Sequence, residues 1–202
     1  MKEELQEIFV DYTSEFVEQL KPAKKELKNY FSELEVNLPE GFRTEINLDA
    51  TEWIKEIAEI VKKGYVITID YGYPSHELYS EYRNTGTMTC YKNHKINYQP
   101  YRHIGSQDIT SHVNFSALCL WGSKSGLDYC GYTDQANFLQ SLGFSKYIKD
   151  IQKPGQDYVN FRQETFLSLA LIMDMGSKFK VLIQQKGMPK IKLLGLNRSN
   201  VH

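Results

Sequence analysis

Two short stretches of the chain concentrate side chains able to bind a ligand or move a proton. In Gly105-Ser106-Gln107-Asp108-Ile109-Thr110-Ser111-His112-Val113-Asn114-Phe115, an amide, a carboxylate, a hydroxyl and an imidazole fall within six residues, just ahead of an apolar run. Helix capping accounts for Asp108 or Thr110, because a short oxygen-bearing side chain satisfies the orphan amides of a following helix. Capping does not need all four of Gln107, Asp108, Thr110 and His112. The other stretch is Val66-Ile67-Thr68-Ile69-Asp70-Tyr71-Gly72-Tyr73-Pro74, an apolar β-branched run ending in an acid, two aromatics and a glycine. Asp70 at a strand end can position an amine or guanidinium or act as a base; a turn acid bonding local amides is the plainer alternative. Tyr71 and Tyr73 can wall a pocket for a cation or a flat ring, or simply pack.

Other candidate chemistry is thin. His94, His103 and His112 recur every nine residues and Cys90 precedes His94 by four, a pattern without the tight paired spacing of zinc sites. A Cys90–His nucleophile pair requires a proximity that spacing alone does not supply. No Gly-x-Gly-x-x-Gly phosphate or dinucleotide loop occurs.

The elements that must position these groups read as helix alternating with strand, an α/β class of fold. Residues 2–34 carry Leu5, Ile8, Phe9, Tyr12, Phe16, Val17 and Leu20 at helical steps, then Pro22; this predicts a helical segment over residues 1–42, with a second helix from Ala23 to Leu34. Arg43 to Ile46 is a possible short strand. A helix over Asp49–Lys63 is predicted by the apolar stripe Ala50, Trp53, Ile54, Ile57, Ala58, Ile60 and Val61. Asp49 and Glu52 can form its capping box, and Gly64 stops it. It feeds a buried strand, Tyr65–Asp70. Further on come an extended Gly86–Tyr91, a loop over Asn93–Gly105, a helix over Ser111–Lys124 and a strand over Leu127–Tyr132. A helix over Asp134–Leu142, a long helix over Tyr158–Met173 and a strand over Lys180–Gln184 complete the pattern. Residues 43–202 then form one domain, compact with the helical segment.

Composition narrows the partners. With 202 residues, 41% hydrophobic content and a net charge of −1, the chain has the make-up of a globular protein and lacks the basic excess of a nucleic-acid binder. Charge is polarised: Lys2 to Glu35 holds nine acids and five lysines, net −4, whereas Lys178 to the end holds five lysines, one arginine and no acid, net +6. Charge runs of this kind are usually solvated faces. Three cysteines at no metal spacing, no apolar signal segment and no membrane-length apolar run point to a cytoplasmic protein without a membrane partner.

Five blocks, GYVITIDYGYP, NTGTMTCYKNH, IGSQDITSHVNFSAL, DQANFLQSLGF and MGSKFKVLIQQKG, occur in the order found in the MidA family. The chain resembles that family from about Leu38 to Gly187. These are S-adenosylmethionine-dependent methyltransferases related to the mitochondrial complex I assembly-factor arginine methyltransferase. The resemblance implies the C-terminal portion of a Rossmann-like class I methyltransferase sheet with added N-terminal helices. It implies methyl transfer from S-adenosylmethionine to a protein side chain, an arginine in the mitochondrial relatives. By motif position, Asp70, Gln107, Asp108 and His112 fall beside the acceptor, and Tyr71, Gly72, Tyr73 and Thr110 shape its pocket. The family's glycine-rich cofactor loop and ribose-binding acid have no counterpart here. The expected partners are therefore a protein substrate and the missing N-terminal methyltransferase half, with exposed apolar faces leaving room for a homo-oligomer. A non-catalytic protein-binding module derived from the same fold is the competing reading. A small hydrolase using Cys90 or His112 is a third.

Overall fold

The structure is a computed structural model that describes residues 4–151 and 175–196, with 166, 168, 172 and 173. The helix expected over Tyr158–Met173 lies almost wholly outside the described residues. The chain forms two compact units, Met1–Asn47 with Pro74–Ser116, and Leu48–Tyr73 with Ala117–His202. These boundaries differ from the single division at 42/43 read from the sequence.

The first unit begins with a correction. The segment predicted as a long helix is a β-hairpin, β1 (Gln6–Tyr12) and β2 (Phe16–Pro22), paired antiparallel from Gln6↔Pro22 to Tyr12↔Phe16. Ile8, Val10, Val17, Phe9, Tyr12 and Phe16 are β-branched or aromatic and favour a pleated surface; their spacing also happens to fit a helical stripe. Tertiary ties decide in favour of the hairpin. Ala23 donates its backbone amide to the Leu5 carbonyl, and the Glu18 carboxylate on β2 takes both guanidinium nitrogens of Arg43 at 2.7 and 2.8 Å. Only the second expected helix forms, as α1 (Lys25–Glu33), with Tyr30 and Phe31 buried.

Residues 42–47 form no strand. Glu45 instead cradles the turn at 86–88, accepting from the Thr87 amide at 2.9 Å, the Thr87 hydroxyl at 3.0 Å and the Met88 amide at 3.3 Å. A short helix α3 (Ser75–Leu78) and a 3₁₀ turn over Glu81–Arg83 follow, and then a small sheet in the order β5-β4-β6. Its strands are β4 (Thr89–Lys92), β5 (Lys95–Asn97) and β6 (Asp108–Thr110). The tight β4–β5 turn holds Asn93 and His94 at φ 49° and 60°, the left-handed pair that matches the twist of a two-residue hairpin. A two-residue strand β7 (Val113–Asn114) leads to α4 (Phe115–Lys124).

The second unit follows the sequence reading more closely. α2 (Leu48–Ile60) buries Thr51, Ile54 and Ala58. Asp49 lies inside its first turn, where an acid suits the helix dipole, and Leu48 is the first helical residue. β3 (Gly64–Tyr73) pairs antiparallel with β9 (Phe179–Lys186), and β9 with β8 (Asp128–Asp134). β3 is not the fully buried strand its apolar run predicts: Ile67 and Ile69 are 51% and 47% exposed. The buried strand is β9, which is paired on both sides. Val181, Ile183 and Leu196 form a core with Tyr65, Cys130, Phe138 and Leu193 packed on it. α5 (Gln135–Ser141) is capped by Asp134, whose carboxylate accepts from the Asn137 amide at 2.7 Å. α6 (Phe144–Ile151) follows Gly143.

Candidate functional site

The predicted site residues fall into two groups, one in each unit. Asp70, Tyr71, Gly72 and Tyr73 end β3. One Asp70 carboxylate oxygen accepts from the Tyr71 amide at 2.8 Å, a bond made inside β3, which continues to Tyr73, and not in the turn read from the sequence. Its other oxygen makes no hydrogen bond among the described residues. Lys180 sits opposite Asp70 in the ladder, donates to the Ser177 carbonyl at 2.6 Å, and lies 5.7 Å from the Tyr73 ring centroid. Tyr71 packs edge-on against Phe179 at 5.7 Å, so part of its surface serves packing. Gly72 is buried.

Gln107, Asp108, Thr110 and His112 belong to the first unit and do different jobs. Gln107 is a clamp: its amide nitrogen donates to the carbonyls of Gln99 and Pro100 at 3.1 and 3.2 Å, while its oxygen accepts from the Asn97 side chain at 3.2 Å. Asp108 is exposed on β6, opposite Tyr91. Thr110 donates to the Thr89 carbonyl at 3.3 Å and so ties β6 to β4. Neither Asp108 nor Thr110 caps a helix, which corrects the capping reading. His112 donates its backbone amide to the Thr87 hydroxyl at 3.0 Å, and that hydroxyl in turn donates to Glu45.

His112 lines a cleft of about 910 Å³ built wholly within the first unit, within the range of small-molecule sites. The hairpin contributes Glu15, Phe16 and Glu18. Arg43, Arg83 and the run Thr85–Thr89 form further wall, and the loop Tyr98–Arg102 closes it. The Phe16 and Tyr101 rings stack at 5.9 Å, and the Tyr101 hydroxyl donates to Glu18 at 2.7 Å. Hydrogen bonds from Arg43 and then Tyr101 hold the Glu18 carboxyl below its ordinary range. The Tyr101 hydroxyl is pushed up by burial and by the adjacent carboxylate. Sequence reading found His112 here but missed Phe16, Glu18, Arg43, Tyr101 and Arg102. The available signal was the dense aromatic and basic run Tyr98-Gln99-Pro100-Tyr101-Arg102 beside a loop-forming proline.

A second polar cluster lies within this unit. The Asn114 amide nitrogen lies 3.0 Å from the Tyr30 hydroxyl, 3.1 Å from the Ser75 hydroxyl and 3.1 Å from the Tyr79 hydroxyl. Burial raises the proton affinity of both tyrosines. Every polar atom brought together here finds a partner, which is what an interior network must do.

The mixed α/β fold is shared with known proteins. Residues 1–133 match the family described as "Putative S-adenosyl-L-methionine-dependent methyltransferase", and the chain belongs to that family. No curated protein matches. Two crystal structures from Burkholderia thailandensis are similar at 30% identity, each covering 96% of this chain. One, an "uncharacterized" superfamily protein, has a TM-score of 0.83. The other, a "likely methyl transferase" bound to S-adenosyl-homocysteine, has a TM-score of 0.81. The chain spans 51% and 49% of their lengths, about half.

The family's cofactor is S-adenosylmethionine, and the described residues can be tested against it. A nucleoside cofactor on such a sheet needs a glycine turn that lets backbone approach it closely. The described strand-to-helix turn after β3 runs Tyr73-Pro74-Ser75, and that after β8 runs Asp134-Gln135. Neither holds a glycine. Gly86 does permit a close backbone approach, but to Glu45 of the same chain: a Cβ there would lie 2.2 Å from its carboxylate oxygen. Neither of these two turns therefore offers the glycine cradle that such a cofactor needs. Among the described residues, no helix is long and apolar enough to cross a membrane.

Proposed function

We propose that this chain is the acceptor-side part of a class I S-adenosylmethionine-dependent methyltransferase of the MidA type, a Rossmann-like portion working with a second half that carries the cofactor loop. The acceptor is a protein side chain, an arginine guanidinium. The observation that carries this reading is Asp70. It stands half-buried near the end of β3 in the DYGY motif, with one oxygen held by the Tyr71 amide and the other open. A carboxylate held this way can orient a guanidinium through charge-assisted hydrogen bonds. Alignment of the acceptor nitrogen with a methyl group supplies much of the acceleration in such a transfer. Tyr71, Gly72 and Tyr73 shape the approach to Asp70. Gln107 acts in this reading as a positioning residue for its loop, since both ends of its amide are engaged by that loop.

The test is complementation in a cytoplasm-like reducing buffer. The remaining half of the Burkholderia fold is supplied in trans, and methyl label from S-adenosylmethionine is followed into protein. Label is expected only with both halves present, and Asp70→Asn is expected to abolish it while leaving the melting temperature unchanged. Normal turnover by that variant removes Asp70 from the acceptor role. No label in any combination leaves a protein-binding module derived from the fold.

A further inference from the structure

We infer, resting on the two-part methyltransferase proposed above, that the outward face of β3 at Ile67 and Ile69 docks an apolar surface of the remaining half of the relatives' fold. Successive side chains of a strand point to opposite faces. A strand with one wet face therefore alternates apolar with polar residues, whereas one covered on both faces reads as a continuous apolar run. Val66-Ile67-Thr68-Ile69 follows the second pattern. Its one polar side chain, Thr68, lies opposite Leu182 on the inward face. The outward positions hold Ile67 and Ile69, and both are half-exposed.

The register shows what covers each face. Ile67 lies opposite Ile183 and Ile69 opposite Val181, so the two isoleucines extend the sheet face whose core is Val181, Ile183 and Leu196. Phe138 of α5 and Leu193 pack on that core, and this cover stops short of Ile67 and Ile69. The opposite face is closed. Leu182 and Gln184 are each 1% exposed; Gln184 donates to the Cys119 carbonyl of α4 at 3.5 Å, and Lys186 to the Ala58 carbonyl of α2 at 2.5 Å. Within its unit β3 is also the border strand of the sheet, laddered to β9. A long apolar strand at a sheet border invites wrong pairing and aggregation unless something covers it. Two isoleucines carry no polar group to orient a small ligand, so the fitting occupant is an apolar protein surface.

Length identifies that occupant. The two Burkholderia structures match 96% of this chain, yet the chain spans only 51% and 49% of them. Each relative therefore carries about as much chain again beyond the matched part. A second copy of this chain is the competing occupant.

The experiment co-expresses the full chain with the remaining half of a Burkholderia relative and captures that half through a tag on the chain. Ile67→Thr combined with Ile69→Thr keeps the β-branching that suits a strand and makes the face polar. This double variant is expected to lower the captured half about tenfold or more, as for the loss of central apolar anchors from an interface, with the melting temperature of the chain unmoved. Leu20→Thr, on the hairpin of the first unit, is expected to leave capture unchanged. In the parent complex, amide exchange across residues 65–69 is expected to slow. Undiminished capture by the double variant, unchanged exchange at 65–69, or no capture at all overturns the inference. So does a dimer of the chain alone, seen by sedimentation, that the double variant dissolves, because a second copy then holds the face. Methyl label separates this surface from the activity. A double variant that is captured and labels protein normally overturns the docking surface and leaves the methyltransferase standing. A complex that forms through this face and transfers no label removes the methyltransferase alone.

Discussion

The hairpin β1–β2 and the strand β9 are built from similar residue types, yet they bear opposite relations to solvent. β9 carries Val181, Leu182 and Ile183 at 3% exposure or less, and even Gln184 and Gln185 are buried. On the hairpin, Leu20 is 64% exposed and Val10 is 49% exposed. The difference comes from neighbours. β9 is paired on both sides, so its backbone polar groups are satisfied and both faces can be covered. Among the described residues β1 and β2 pair only with each other, and an isolated two-stranded ribbon is marginal by itself. Its position depends on polar ties to the rest of its unit, chiefly Glu18. One region is held by burial, the other by a few directed bonds.

The sharpest way to break this comparison is to truncate one leucine in each region. Leu182→Ala removes a side chain that is 1% exposed and is expected to cost about 2–5 kcal/mol. Leu20→Ala, at an exposed position, is expected to stay within about 0.5 kcal/mol. Urea denaturation of both variants measures this. Equal losses would mean that the hairpin is as buried in solution as β9, and the contrast would fall.

A smaller effect is expected at Gly86, where a directed bond and a backbone conformation coincide. Its φ is +84°, and an added Cβ would meet the Glu45 carboxylate. That carboxylate cannot simply swing aside, because it accepts from the Thr87 amide and hydroxyl and the Met88 amide. Gly86→Ala is expected to cost about 1–3 kcal/mol, combining positive-φ strain with a disturbed buried bond. At Gly105, φ is +71° with open space around the Cβ position, so only the conformational part applies. Thermal melts of the two variants should therefore separate, with Gly86→Ala melting lower. If they coincide, Glu45 yields freely and is no anchor for the cleft wall.

The same contrast explains what the sequence made legible. The α2–β3 pair was readable because one wide apolar stripe and a glycine stop agree, and local agreement of that kind marks a well-specified segment, although Asp49, read as the cap, lies inside the first turn. Asp134 at the head of α5 was readable for the same reason. The hairpin was not, because Ile8, Phe9, Tyr12 and Phe16 fit a helical stripe as well as a ribbon; the tie that decides between them, Arg43 to Glu18, spans 25 residues. The cleft was illegible because its walls come from the hairpin, the 43 region, the 83–89 segment and the 98–102 loop. Gln107 stood out by type, but its partners are carbonyls seven and eight residues upstream, which no spacing rule anticipates. Asp70 was read as a strand-end acid because β-branched residues lead directly into it, but β3 runs on through Tyr73 and keeps it inside the strand.

The smallest expected effect tests the directed bonds themselves through pH. Glu18 has its carboxyl lowered from 4.5 by hydrogen bonds from Arg43 and Tyr101. A carboxyl that is more acidic in the folded protein adds stability that is fully present above its unfolded value and is lost as pH falls through the folded one. Glu18 is partly exposed, so solvent screening keeps the contribution small. The gain should appear locally: amide exchange in β1 and β2 should accelerate relative to β9 as pH drops below about 4.5, after correction for the intrinsic pH dependence of exchange. Glu18→Gln, which keeps the shape but not the charge, should show the faster hairpin exchange already at neutral pH and flatten its pH response. If hairpin protection in the variant matches the parent, the hairpin is held by packing after all, and the distinction drawn between the two regions is one of exposure alone.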